Sequence, residues 1–200
     1  MTDKTRSGRI EDGRLLRGQG RYVADMVPAY ALHGVFVRAD QAPARIVRLG
    51  VDVAQSLPGV VFVLTGADLA AAGIGPFASD PLPVGEGEAV VDLPMPLMAL
   101  GTARHVGEPL ALVVATSRAE ALDAAEAVEV DVLPEPADIR LAANATLGDL
   151  DEARSALARS AHVIHHAVTL PRMVAAPLEC RGCLAIPGLE GSLTFHTSSQ

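Results

Sequence analysis

The chain has 200 residues, of which 50% are hydrophobic and 20% charged, and a formal net charge of -8. Those figures suit one large domain, or a domain and part of another, and exclude whole-chain disorder. They also argue against nucleic acid as a partner, since phosphate binding needs clustered Lys and Arg. Two cysteines supply no disulfide framework and fit a reducing compartment. The first ten residues lack the apolar stretch of a secretory signal. The longest apolar runs, 60–64 and 110–115, are too short to cross a bilayer. A cytoplasmic protein with no membrane partner is the expectation.

Residues 1–28 are polar, glycine-rich and weakly periodic, which predicts an extended arm. Residues 31–38 (Ala-Leu-His-Gly-Val-Phe-Val-Arg) read as a strand, with Leu32, Val35 and Val37 favouring a sheet. Residues 51–57 can form a short helix, halted before Pro58 because a residue preceding proline avoids helical geometry. The continuous apolar run 59–65 predicts a strand buried on both faces. Residues 73–96, rich in Gly, Pro and acids, predict a long loop of the kind that is functional or mobile.

The clearest unit is 104–133. Residues 110–115 read as a buried strand. Thr116 or Ser117 can cap a helix, with Glu120 placed for a capping box if Ser117 is the N-cap. The helix would run to about Val128 with Ala121, Leu122, Ala125 and Val128 inward. Residues 129–133 alternate like a half-exposed strand. Strand, helix and strand in that order predict a right-handed βαβ crossover, ended by Pro134 and Pro136. Residues 147–160 predict a second amphipathic helix with Leu150, Ala153, Leu157 and Ala158 inward, and 162–170 a strand. Residues 177–200 predict two short strands around a glycine turn, the second (192–196) delivering the polar tip Thr-Ser-Ser-Gln. The region 134–144 is the predicted boundary between a first α/β domain and a second.

Several motifs weigh less than they suggest. Cys180-Arg-Gly-Cys183 is a lone C-x-x-C at a strand entry, whereas a zinc site or iron–sulfur cluster needs four ligands and a redox pair favours a helix N-terminus. His162, His165 and His166 would chelate on a helix, but on the predicted strand His165 points away from the other two. Gly18-Gln-Gly20 and Gly73-Ile-Gly75 lack the third glycine of a dinucleotide fingerprint and read as turns. Asp80, Glu86, Glu88 and Asp92 form a solvated, self-repelling loop rather than an acid/base pair. Glu108 beside Pro109 reads as part of a structural turn. No G-x-S-x-G elbow or Ser–His–Asp set is identifiable.

The order of segments resembles one family, the molybdopterin-binding large subunit of the xanthine dehydrogenase, aldehyde oxidase and carbon monoxide dehydrogenase group. Gly8-Arg-Ile-Glu-Asp-Gly-Arg-Leu-Leu-Arg-Gly-Gln-Gly-Arg-Tyr-Val-Ala-Asp25 resembles its N-terminal arm. Leu32-His-Gly-Val-Phe-Val-Arg38 with Ala44-Arg-Ile46 is similar to its first strand and turn. Pro58-Gly-Val-Val-Phe-Val-Leu-Thr-Gly-Ala-Asp-Leu69 and Val106-Gly-Glu-Pro-Leu-Ala-Leu-Val-Val-Ala115 resemble the rest of its a/b hammerhead core. The sequence departs from the family at Asp40-Gln41 and in the shortened Val132-Leu-Pro-Glu-Pro136.

The resemblance implies a mixed α/β (α+β) fold. It comprises an arm at 1–28, an a/b hammerhead domain at 29–136 and the truncated start of a molybdopterin-binding catalytic domain at 137–200. Ala176-Pro-Leu-Glu179 resembles the family's substrate-side entry, placing Glu179 there. Thr197-Ser-Ser-Gln200 resembles its Ser-Thr-Gln segment, giving Gln200 the cofactor contact; a neutral amide can donate to a metal oxo group without adding charge. The family's glycine-rich pterin loop, later cofactor segments and glutamate base have no counterpart in these residues. No catalytic residue and no metal ligand is therefore assigned, and the chain alone is expected to be inactive and to bind no cofactor stably. The resemblance further implies an oligomer with iron–sulfur and FAD partners beside the remainder of the large subunit. The complete enzyme would hydroxylate an aldehyde, a heteroaromatic carbon or carbon monoxide with water-derived oxygen. The alternatives are a non-catalytic hammerhead module that only binds partner subunits, and a C-x-x-C metal binder.

Overall fold

The computed structural model describes residues 9–77, 94–137, 148–171 and 173–199. They divide into two compact units, one within Leu32–His166 and the other formed by Met1–Ala31 with Ala167–Gln200.

The first unit is built on two small antiparallel sheets. In one, β5 (Pro109–Ala115) lies between β1 (His33–Arg38) and β3 (Val60–Thr65). In the other, β2 (Ala44–Gly50) lies between β4 (Thr102–Ala103) and β6 (Glu129–Pro134). The apolar run of β5 earns its central place: Leu110, Ala111, Val113, Val114 and Ala115 are all buried. Complete burial of Leu110 or Val113 is worth about 1.5–3 kcal/mol each. The equally apolar β3 is not buried on both faces as its sequence suggested. Among the described residues it is an edge strand paired with β5 alone, and Val61 and Phe62 remain exposed.

Helix α4 (Arg118–Glu126) starts where expected. Ser117 is the N-cap, its hydroxyl accepting from the Glu120 amide at 3.2 Å. The Glu120 carboxylate accepts from the Thr116 and Ser117 hydroxyls at 2.6 and 2.8 Å, side-chain bonds that stand where the expected capping box would use the Ser117 amide. Ala121, Ala124 and Val128 face inward while Leu122 is exposed, which corrects the expected inner face. Alanines at that spacing let the helix lie close against β1 and β5.

The predicted βαβ crossover is also corrected. Both edges of β5 are taken, His33 and Val60 each lying opposite Ala115. The chain leaving α4 therefore enters the second sheet, where β6 runs antiparallel to β2 with Glu129 opposite Gly50. Two apolar clusters result. Ala54, Val63, Ala111, Val113, Ala124 and Val128 form one, and Ala39, Ala99, Ala103 and Leu110 the other. Leu49 of β2 and Val130 of β6 pack on both clusters and tie the sheets together.

The unit also contains α2 (Asp52–Ser56), close to the predicted helix, and α3 (Gly66–Ala71), which the sequence reading passed over. Helix α5 (Leu150–Arg159) forms as predicted behind an Asp149 cap, but every residue in it is exposed, including Leu150 and Leu157. Its apolar stripe faces no partner among the described residues. Residues 162–170 form no strand; they are exposed and irregular, with no described neighbouring strand to take up their backbone hydrogen bonds.

In the second unit the arm is not simply extended. It contains the short α1 (Asp12–Leu15) and a 3-10 turn at Val23–Met26, where Tyr22 and Asp25 form a reciprocal cap. The two predicted C-terminal strands are present as β7 (Cys183–Pro187) and β8 (Leu193–Thr197), an antiparallel hairpin in which Cys183 lies opposite Thr197. No helix among the described residues is long and apolar enough to cross a membrane.

Candidate functional site

The base of the β7–β8 hairpin is where the chemistry-bearing residues singled out in the sequence converge. Beyond Cys183 and Thr197 the two strands separate, and Ser198 holds them together. Its hydroxyl accepts from the Gly182 amide at 3.0 Å and donates to the Cys180 carbonyl at 3.0 Å, while its own amide donates to the Gly182 carbonyl at 3.3 Å. Thr197 and Ser199 hydroxyls lie 3.4 Å apart just outside this clasp. The result is a strand end carrying neutral hydroxyls, fixed in direction by its own side chains. Gln200, the residue assigned the cofactor contact, lies outside the described residues.

Glu179 sits immediately before the clasp. Every other residue from 173 to 183 is exposed, and Glu179 alone is half-buried. Its Oε1 accepts the Val23 backbone amide at 2.9 Å, across 156 positions of sequence. The sequence offered no sign of this contact, because an amide acceptor for a residue that far away leaves no local pattern. Cys180 and Cys183 are both free and exposed. His162, His165 and His166 are exposed on irregular chain, and no group of three or more metal-ligating side chains occurs among the described residues. Asp80, Glu86, Glu88 and Asp92 lie outside the described residues.

Two further features lie in the first unit. Glu108, expected in a turn, is there: its amide donates to the His105 carbonyl and its carbonyl accepts from Ala39. It is also buried to 1% exposure, with Arg104 donating to it from backbone and guanidinium. Burial raises its pKa, but the Arg104 hydrogen bonds and the charges of Arg104 and His105 outweigh that and leave it below the ordinary glutamate value. A carboxylate held by three hydrogen bonds from one residue and shut off from solvent is not placed to meet a substrate. The R-x-x-x-E spacing was the available signal for the pair. Between α3 and residues 96–100 runs a groove of about 320 Å³, lined among others by Leu69, Ala70, Ile74, Pro96, Leu97 and Met98. Among the described residues its lining presents no polar side chain.

The geometry therefore contains a stable two-sheet scaffold and a separate hairpin whose end presents neutral donors. Comparison with known proteins bears on the fold and the family. Over 197 aligned residues the chain is 36% identical to the nicotine 6-hydroxylase large subunit of Paenarthrobacter nicotinovorans, covering 88% of this chain and 23% of that protein. The crystal structure of quinoline 2-oxidoreductase from Pseudomonas putida 86 superposes with a TM-score of 0.75 at 36% identity, over 96% of this chain and 26% of that one. A Cu,Mo-CO dehydrogenase in its carbon monoxide-reduced state superposes with a TM-score of 0.72 at 28% identity, over 96% and 27%. The chain thus spans about a quarter of the length of these relatives. Residues 17–136 match the family described as aldehyde oxidase and xanthine dehydrogenase, a/b hammerhead domain, and on that match over more than half its length the chain belongs to this family.

Proposed function

We propose that this chain is the front part of the large subunit of a molybdenum hydroxylase. In this reading 1–28 is an arm, 29–136 the hammerhead domain and 137–200 the start of the molybdopterin-binding domain. The observation that supports it most is the combination of the family match over 17–136 with 36% identity to a hydroxylase large subunit. The two relatives at 36% identity are named for nicotine and quinoline, which favours a nitrogen heteroaromatic ring over an aldehyde or carbon monoxide as substrate.

The residues present suit a hydrogen-bonding role toward a molybdenum cofactor rather than ligation of its metal. Ser199 carries a neutral hydroxyl at the strand end, the Ser198 O–H being taken by the Cys180 carbonyl, and no group of three or more metal-ligating side chains occurs among the described residues. Gln200 would add a neutral amide donor at the same strand end. Glu179 would belong to the wall of the substrate approach, its carboxylate engaged by Val23. When bound, the cofactor would supply the two-electron oxidation that accompanies hydroxylation by water-derived oxygen. This chain would contribute orientation, with no catalytic base assigned to it. Iron–sulfur and FAD partners would carry the electrons away, within a cytoplasmic oligomer.

The test is the metal content of the protein drawn from its native cells by a tag on this chain, with whatever associates with it. Molybdenum near one atom per chain, accompanied by iron and flavin, is the expected result. A preparation with its partners present and no molybdenum would instead establish the non-catalytic module.

A further inference from the structure

We propose that Glu179 is a positioning residue that couples the N-terminal 3-10 turn to the hairpin end carrying Ser198 and Ser199. The contacts form a single sequence. The Val23 amide, the first of the 3-10 turn, donates to Glu179 Oε1 at 2.9 Å. Glu179 is covalently next to Cys180, whose carbonyl accepts the Ser198 hydroxyl at 3.0 Å. Gly182, two residues on, donates its amide to that same hydroxyl and accepts the Ser198 amide. One short segment, 179–182, is thus gripped from one side by the arm and from the other by the end of β8.

Burial follows the same path. In the stretch 173–183 only Glu179 is withdrawn from solvent, and at the end of β8 Ser198 is half-buried between exposed Thr197 and Ser199. Side chains that merely decorate a loop would be free in solvent; these two are held. The turn itself is closed by its own side chain, because Asp25 Oδ2 accepts the Tyr22 amide at 3.0 Å. A fixed turn, a charged acceptor and a two-bond hydroxyl clasp make a rigid connection across the unit, and a carboxylate acceptor makes its first link the stronger kind of hydrogen bond.

The clamp stands on these contacts alone. Its bearing on a cofactor, through the direction it gives to Ser199, rests on the molybdenum hydroxylase reading. The experiment separates the two, because amide exchange is read without reference to metal or activity.

Hydrogen exchange is measured on the protein and on Glu179→Ala, Glu179→Gln and Ser198→Ala. Glu179→Ala is expected to speed exchange at Val23 about tenfold, and at Gly182 and Ser198 severalfold, with the amides of β5 unchanged. Glu179→Gln keeps a carbonyl acceptor and is expected to stay within about twofold of the parent at all three positions. Coupling is reciprocal, so Ser198→Ala, with Glu179 intact, is expected to speed exchange at Val23 as well. If Glu179→Ala frees Val23 but leaves Gly182 and Ser198 as protected as before, or if Ser198→Ala leaves Val23 untouched, the two grips are independent and the proposal fails. Should Glu179→Ala unfold the unit that holds the hairpin, as faster exchange along the whole of β7 and β8 would reveal, Glu179→Gln and Ser198→Ala still decide the matter.

Discussion

Arg104 holds the buried carboxylate of Glu108 with its backbone amide at 2.5 Å and its guanidinium Nε and Nη2 at 3.0 and 2.6 Å. The same guanidinium donates from Nη1 to the Pro94 carbonyl. One ion pair therefore closes the 104–108 turn and anchors the chain that enters it from residue 94. Glu108 in turn engages Ala39 at the end of β1 through its carbonyl. The pair joins three segments that share no local sequence.

Replacing Arg104 with Leu should destabilise the first unit by about 2 kcal/mol, in the range for losing hydrogen bonds to a charged group. The backbone amide of residue 104 would still reach Glu108, which keeps the loss below that of a fully stranded buried charge. Denaturant titration of the two proteins side by side is the measurement.

The pH dependence of that pair has a definite sign. Glu108 has a folded-state pKa below its ordinary 4.5, so the folded state binds fewer protons than the unfolded one. Its contribution is fully present above about pH 4.5 and is lost as pH falls through the lowered folded value. Thermal unfolding between pH 6 and pH 3 should show this loss, and Glu108→Gln should flatten the slope. Equal slopes would mean that the carboxylate is not the group responsible.

Thr65 ends β3 and caps α3. Its hydroxyl accepts from the Asp68 amide at 3.3 Å and donates to Asp68 Oδ2 at 2.7 Å, while its amide donates to the same carboxylate oxygen at 2.7 Å. These bonds, the side-chain one foremost, lower the Asp68 pKa. Thr65→Ala should cost about 1 kcal/mol, the usual loss for an N-cap hydroxyl. Thr65→Ser should recover most of it.

Gly59 has φ of +79°, and a Cβ there would run into the Glu120 carboxylate that closes the cap of α4. Gly59→Ala should cost about 1–2 kcal/mol from backbone strain alone, with the start of α4 loosened in addition. Gly66 has a different constraint: a Cβ there would sit 2.5 Å from the Ala99 carbonyl oxygen, which is backbone and cannot swing aside. Gly66→Ala should force α3 away from residues 98–99. Unfolding midpoints report both losses, and amide exchange in α4 and α3 tells them apart.

The exposed pair Cys180 and Cys183 should behave as ordinary thiols. Both are expected to react with a thiol reagent in the native protein, and the double Ser variant to keep the parent's zinc and iron content. A drop in bound metal in that variant would revive the metal-binder alternative.

How much of this was readable in advance divides by range. Local signals did well: the cap at Ser117, the stop before Pro58, the apolar run of β5 and the C-terminal hairpin all formed close to where neighbouring residues place them. The order of the hammerhead segments was legible too, since the family match at 17–136 takes in residues 32–46, 58–69 and 106–115. What failed required knowing partners. An apolar run such as β3 cannot reveal whether it will be central or at an edge. A strand after a helix cannot reveal that both sides of the preceding strand are already occupied, which is why β6 joined β2. Residues 162–170 have strand composition and no described strand beside them. Nothing near Glu179 announces Val23, and nothing near Arg104 announces that Glu108 will lose its water. By itself the sequence determined most of the strands and helices, the Ser117 cap and the family, because these depend on steric and hydrogen-bonding preferences within a few residues. Tertiary structure alone decided which strands paired, which helix face was buried and which carboxylates were committed, because each depends on groups brought together from distant parts of the chain.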